Sequence, residues 1–211
     1  MSRSRALVLV AIALVAVAAT AGVARGRDAA RSPKLMVLTV DDLGHGAVVD
    51  SQRYTTSGEI PASSGYRRSF TGITLGKADV LWLQNAVLVG KSPAAAAKLV
   101  SSILLASSSK TGRDALYLAA EKEFAASSKM TVVSGAMTRA GKLKAGDSAV
   151  EIVFRFNTAD TSFQVGEIFL RVGGNLGTVY YLAGTPGVSP ANARRLGLAA
   201  AAHMTETGST G

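Results

Sequence analysis

Three consecutive stretches of two-residue alternation constrain this chain more tightly than any other feature. In Ser148–Asn157, Val150, Ile152, Phe154 and Phe156 fall on one side, with Glu151, Val153 and Arg155 on the other. In Phe163–Val172, Ile168, Leu170 and Val172 share one side, and Phe163, Val165, Glu167, Phe169 and Arg171 share the other. Thr158–Ser162 is a polar turn, Gly173-Gly174-Asn175 is a second turn, and Thr178–Gly184 runs back as a third strand. A pleated strand must bury its apolar side, so this pattern predicts an antiparallel meander. A register with Asn157 opposite Phe163 and Val172 opposite Thr178 places Ile152 against Ile168 and Leu170 against Tyr180. It brings Glu151 diagonal to Arg171, and Arg155 diagonal to Glu167. The second side then carries Val153, Phe163, Val165, Phe169, Val179 and Tyr181. That set is too apolar for water alone, so helices or a ligand should cover it.

Four upstream segments also read as strands: Val48–Gly58, Tyr66–Gly76, Val80–Val89 and Met130–Thr138. Trp82, the only tryptophan, lies in the third of them. Ser92-Pro93 starts a helix with Leu99, Val100, Ile103 and Leu104 as its apolar stripe. Ser107–Gly112 breaks that helix. A second runs from about Arg113 to Ala126 with Leu116, Ala120 and Phe124 on one face. Ser189-Pro190 starts a last helix that turns Ala193, Leu196, Ala200 and Met204 inward. Thr39 and Asp42 have the spacing of a helix start, with Gly44 to end it. The expected fold is α+β, a single domain over 35–206 in which helices flank an antiparallel sheet of about six strands.

The amino terminus predicts where such a domain works. Arg3 and Arg5 precede an uncharged run from Ala6 to Ala24, and Ala19-Thr20-Ala21 and Gly22-Val23-Ala24 both fit the small-x-small pattern of signal cleavage. Residues 1–24 therefore read as a signal peptide, with an uncleaved anchor over 6–24 as the alternative. Both place the domain outside the cytoplasm, secreted or anchored, with any membrane contact made through this segment. Residues 25–34 read as a linker, and residues 207–211 as a fraying tail. The chain has no cysteine, so it forms no disulfide and has no site for lipid attachment. Its net charge of +9 suits contact with anionic lipid, wall polymer or an envelope protein, although the basic residues are scattered as they would be for solubility. An exported domain has no call on nucleic acid.

The motifs that hint at chemistry dissolve on inspection. Gly90-Lys91-Ser92 lies between a strand and a helix, but the phosphate-loop pattern needs a glycine where Asn85 stands. Ser107-Ser108-Ser109-Lys110 and Lys110-Thr111-Gly112 overlap on one lysine, whereas penicillin-recognising enzymes use two. These residues read as a turn, with Thr111 and Asp114 starting the next helix. Gly146-Asp147-Ser148 suits a turn before a strand. A serine hydrolase would need His45 or His203 beside its nucleophile, and neither is near in sequence. No cofactor and no metal site is expected. Glu151 and Glu167 could form a glycosidase pair, but the register above gives each an arginine neighbour and denies them the general-acid role.

Leu38-Thr39-x-x-Asp42-Leu43-Gly44, Tyr66-Arg67-Arg68-Ser69-Phe70, Gly146-Asp147-Ser148-Ala149 and Leu170-Arg171-Val172-Gly173-Gly174-Asn175 occur in that order. Together they resemble the exported sensor-like domains of actinobacteria, including extracellular domains of receptor serine/threonine kinases and lipoproteins with a PsbP-like fold. The resemblance spans roughly Leu35 to Met204 and lies in turns and strand starts, so it carries over no binding residue. It implies a helix-flanked antiparallel sheet and a non-enzymatic binding or sensing role. The expected function is a module for an apolar or anionic cell-envelope component. A structural protein that docks a partner through an apolar sheet face is the alternative, and an exported hydrolase is third. The candidate ligand-binding residues are Tyr66 and Arg68, where aromatic and basic residues interleave, with Trp82, Phe156, Phe169 and Tyr181.

Overall fold

The computed structural model describes residues 32–55, 64–89 and 93–206. The expected leader, Gly90-Lys91-Ser92 and the 207–211 tail lie outside the described residues, as does all but the end of the 25–34 linker. A single 3-10 turn, Pro33–Leu35, leads into α1 (Val40–Leu43). Strands β1 (Val48–Thr55), β2 (Ser64–Thr71), β3 (Ile73–Leu75) and β4 (Ala78–Val89) follow, then helices α2 (Pro93–Ser108) and α3 (Lys110–Ser128). The chain continues through β5 (Ser134–Leu143), β6 (Ser148–Asn157), β7 (Ser162–Val172) and β8 (Asn175–Ala183) to α4 (Pro190–Glu206). All pairings are antiparallel, in the order β1-β2-β4-β8-β7-β6-β5, and β3 adds to the β4 edge.

The helix-flanked antiparallel sheet is as expected, but it has eight strands rather than about six. One extra strand comes from Gly72. With φ at +70 and Gly46 O only 2.5 Å from where a Cβ would sit, it breaks the run Tyr66–Gly76 into β2 and β3. The helix start expected near Arg113 lies earlier. The Ser109 hydroxyl accepts from Gly112 N at 3.0 Å and caps α3 at Lys110.

The register also differs from expectation, and this changes the chemistry. Phe156 pairs with Phe163 and Asn157 with Ser162, a slip of one residue. Val172 pairs with Asn175 across the two-residue turn Gly173-Gly174, so β8 begins before Thr178. A one-residue slip exchanges which side chains share a face. Ile152 therefore meets Glu167, and Glu151 meets Ile168. Glu151 and Arg171 lie on opposite faces, as do Arg155 and Glu167, so neither expected ion pair forms. The apolar second side divides likewise. Phe163, Val165 and Phe169 face α2 and α3, while Val153, Val179 and Tyr181 face α4.

Each face has its own core. Under α2 and α3, Trp82, Val150, Ile152, Phe154, Phe156, Phe169 and Tyr180 pack against Val100, Ile103, Leu116 and Phe124. The Phe124 and Phe156 rings stack at 4.8 Å. Under α4 and the segment before β1, Phe70, Leu83, Ile168, Leu170 and Val179 pack against Leu38, Leu43, Leu196 and Met204. The inward stripe expected for the last helix is buried. Burying each of these large side chains contributes roughly 1.5–3 kcal/mol.

Candidate functional site

The six sequence-predicted residues do not form one site. Tyr66, Arg68 and Tyr181 lie on the α4 face, and Trp82, Phe156 and Phe169 lie on the α2–α3 face. Tyr66 donates its hydroxyl to Gln52 Oε1 at 2.8 Å, and Arg68 donates to Leu38 O at 2.8 Å. Phe156 and Phe169 are ordinary core. The interleaved segment Tyr66-Arg67-Arg68-Ser69-Phe70 presents Tyr66, Arg68 and Phe70 on the α4 face. Its other face, with Arg67 and Ser69, is the more unusual one.

On the α4 face most buried polar side chains have partners, while the Nε of Arg68 is buried without one. Glu151, 3% exposed, receives Arg139 Nε at 2.7 Å and Arg139 Nη2 at 2.6 Å. The Tyr181 hydroxyl also donates to it, at 3.0 Å. Arg139 belongs to β5 and Tyr181 to β8, so this network crosses four strands. It can do so because Gly166 separates them on β7. A Cβ there would lie 1.9 Å from Tyr181 Cζ, and only a bare backbone lets the ring reach across. The Glu151 hydrogen bonds push the Arg139 guanidinium further toward its charged form. Burial, reinforced by the Glu151 charge, pushes the Tyr181 phenol well up. Asn85 joins Leu38 N at 2.7 Å to Thr178 O at 2.8 Å. Gln164 both donates to and accepts from the Val188 backbone.

The α2–α3 face is built differently. Direct cross-strand pairs run Ser51–Ser69–Gln84–Tyr180–Glu167, from the edge strand β1 through β2, β4 and β8 to β7. Side chains at paired positions share a face, so this is one polar row across five strands. Ser51 is exposed and lies 2.6 Å from the Ser69 hydroxyl. Ser69, Gln84, Tyr180 and Glu167 are buried. Arg67, 8% exposed, lies beside the row on β2 opposite Ala86. The Trp82 ring meets Tyr180 edge-on at 5.5 Å, and the buried Nε1 of Trp82 has no hydrogen-bond partner.

Gln84, Tyr180, Glu167 and Arg67 likewise make no side-chain hydrogen bond or ion pair among the described residues. Burial alone pushes the Glu167 carboxyl up to about 8, so it is largely neutral at pH 7. Burial, together with the Glu167 charge, pushes the Tyr180 phenol up. An acid alone among Phe163, Val165 and Phe169, and a glutamine inside an apolar strand, were the sequence signals for this row. The slipped register hid the first by giving Glu167 an arginine.

A shallow cleft of about 360 Å³ opens beside β5, lined by Ser107, Arg113, Met137, Thr138, Arg139 and Ala140. Its Ser107, Thr138 and Arg139 side chains already donate to Leu104 O, Val153 O and Glu151. The Asp147 carboxylate holds Gly173 N at 2.7 Å, which makes Gly146-Asp147-Ser148 a structural turn. His203 lies 2.9 Å from Asp42. Comparison of the chain with protein-family models, with curated proteins and with solved structures finds no match.

Proposed function

We propose that this chain is an extracytoplasmic, non-enzymatic binding module. Its ligand lies on the sheet face beneath α2 and α3, along the polar row. The observation that carries this reading is Trp82 Nε1, buried with no hydrogen-bond partner, on the same face as Arg67, Gln84, Tyr180 and Glu167, buried residues that make no side-chain hydrogen bond or ion pair among the described residues. An unmet buried polar group costs about 1–3 kcal/mol, and more when charged. Five such residues gathered on one face mark a surface shaped for something other than its own chain. Two further observations support binding over catalysis and docking. Glu151 and Glu167 lie on opposite sheet faces, so they cannot flank one glycosidic bond. The apolar sheet positions that a partner would need are buried.

Native mass spectrometry of the chain purified from its own host tests the reading. A bound small molecule released on denaturation is expected. A bare chain, with Trp82 emission unmoved by host lipid and wall extracts, would sink it. Sequencing of exported material should begin near Gly22 or Arg25. Intact Met1 on cytoplasmic protein would overturn the assignment outside the cell.

A further inference from the structure

We infer that the ligand is a two-ended amphiphile: an acid head on Arg67, a hydrocarbon body across the sheet, and a hydroxyl or amide at its far end against Glu167, Tyr180 and Trp82. This rests on the binding reading above and deepens it. The two ends of the polar row ask for different chemistry. Arg67 carries a permanent charge, is 8% exposed and has no anionic partner among the described residues. A buried guanidinium is satisfied by a carboxylate or phosphate, which it can hold through two N–H groups. Ser69, two residues on, and Gln84, paired with Ser69, stand next to it with polar groups of their own.

The Glu167 end excludes a second ion. Trp82 Nε1 can only donate. A neutral carboxyl, a phenol and an amide each donate and accept. An ammonium group would leave Trp82 unmet. An anion would be buried beside an acid, with no cation from β4, β8 or β7 in the row. A hydroxyl or an amide meets Trp82 and Glu167 together. Between the ends lie three strand spacings, about 14 Å at ~4.8 Å each. The reach of the Arg67 and Glu167 side chains shortens this gap. The neighbouring positions Ala86, Thr178 and Phe169 present small or apolar side chains to the body of the ligand. Helix α2 packs on β5 to β8, so the row runs out from beneath it toward exposed Ser51 on the edge strand.

The single tryptophan makes the test direct, because intrinsic emission reports on this site. The full chain is titrated with 10-hydroxydecanoate, decanoate, 1-decanol and decyltrimethylammonium. The hydroxy acid should bind at least tenfold more tightly than decanoate or decanol, and the ammonium compound should leave the emission unchanged. Arg67→Met should reduce the hydroxy acid to the level of decanol, and Glu167→Leu should reduce it to the level of decanoate. Arg67→Lys and Glu167→Gln, which keep charge and hydrogen bonding, should each retain most of the lost affinity. Equal binding of decanoate and 10-hydroxydecanoate would overturn the distal group, and equal binding of decanol would overturn the acid head. Preference for the ammonium compound would overturn both while leaving a binding module. If no probe moves Trp82 emission, the binding reading fails as well.

Discussion

Glu151 and Glu167 lie on adjacent strands, one row apart, and are 3% and 4% exposed, yet they are opposite kinds of residue. Glu151 faces α4 and holds two Arg139 nitrogens and the Tyr181 hydroxyl. Glu167 faces α2 and makes no side-chain hydrogen bond or ion pair among the described residues. The faces that carry them differ in the same way. The α4 face joins its polar groups across strands with side chains chosen for reach, such as Tyr181 over Gly166. The α2–α3 face sets a polar row into an apolar floor and, beyond the Ser51–Ser69 contact, gives it no side-chain hydrogen bond or ion pair among the described residues. Buried acids therefore say little about stability until their partners are known.

Truncation should separate the two acids by sign. Glu151→Leu leaves Arg139 without its carboxylate and should cost about 3–5 kcal/mol in urea denaturation at pH 7. Glu167→Leu removes a carboxyl with no side-chain partner among the described residues, and should be neutral or stabilising by about 1–3 kcal/mol. Equal losses from both would erase the distinction between the faces.

Gly166→Ala tests whether the Glu151 network depends on the bare backbone of β7. The new methyl would occupy the position of the Tyr181 ring, forcing it away from Glu151. A loss of about 2–3 kcal/mol is expected, combining overpacking with a hydrogen bond to a charged group. In a Tyr181→Phe background the same substitution should cost less, because the hydrogen bond is already gone. An unchanged cost there would assign the whole effect to crowding.

The pH dependence should belong to Glu167. Its folded value of about 8 exceeds the ordinary 4.5, so the folded chain holds a proton that the unfolded chain releases. The resulting stability is complete below about pH 4.5 and is lost as pH rises toward 8, at about 1.4 kcal/mol per unit in between. Glu167→Gln should flatten that slope, and wild type should approach the variant at low pH. A slope that survives the substitution would place the titrating group elsewhere.

Most of the fold was legible because it follows from local pattern. Alternation marked β6 and β7, Ser-Pro pairs marked α2 and α4, and the stripe Ala193, Leu196, Ala200 and Met204 marked the buried side of α4. The eighth strand was not legible, because the break at Gly72 depends on a contact with Gly46 that is distant in sequence. The candidate site was only half legible. Trp82 was legible as a candidate, but Arg67, Gln84, Tyr180 and Glu167 were not: the meander register misplaced Tyr180 and Glu167, and nothing in the sequence aligned Arg67 and Gln84 with them. Charge complementarity favoured a pairing one residue out, whereas the tight turn Gly173-Gly174 and the pairing of Phe156 with Phe163 decide it. In the actual pairing Glu151 finds its arginine on β5, a partner that the three-strand meander does not contain.

Asp42 offers the smallest test, a half-buried acid on the partnered side. It accepts from Thr39 N at 2.6 Å and from the Thr39 hydroxyl at 2.8 Å, and it lies 2.9 Å from His203 on α4. Burial pushes its carboxyl up, but the Thr39 hydrogen bonds and His203 outweigh that and hold it below the ordinary 3.8. The sign is therefore opposite to that of Glu167. The contribution of Asp42 is present above pH 3.8 and is lost as pH falls through its lower folded value. Asp42→Asn should cost about 1 kcal/mol at pH 7, typical of a lost helix cap or a half-exposed pair, and nearly nothing in strong acid. Glu167→Gln in the same chain should gain stability at pH 8 and change little at pH 4. If Asp42→Asn destabilises equally at pH 7 and pH 2, its role is steric, and of the two acids only Glu151 would stand as a charged partner.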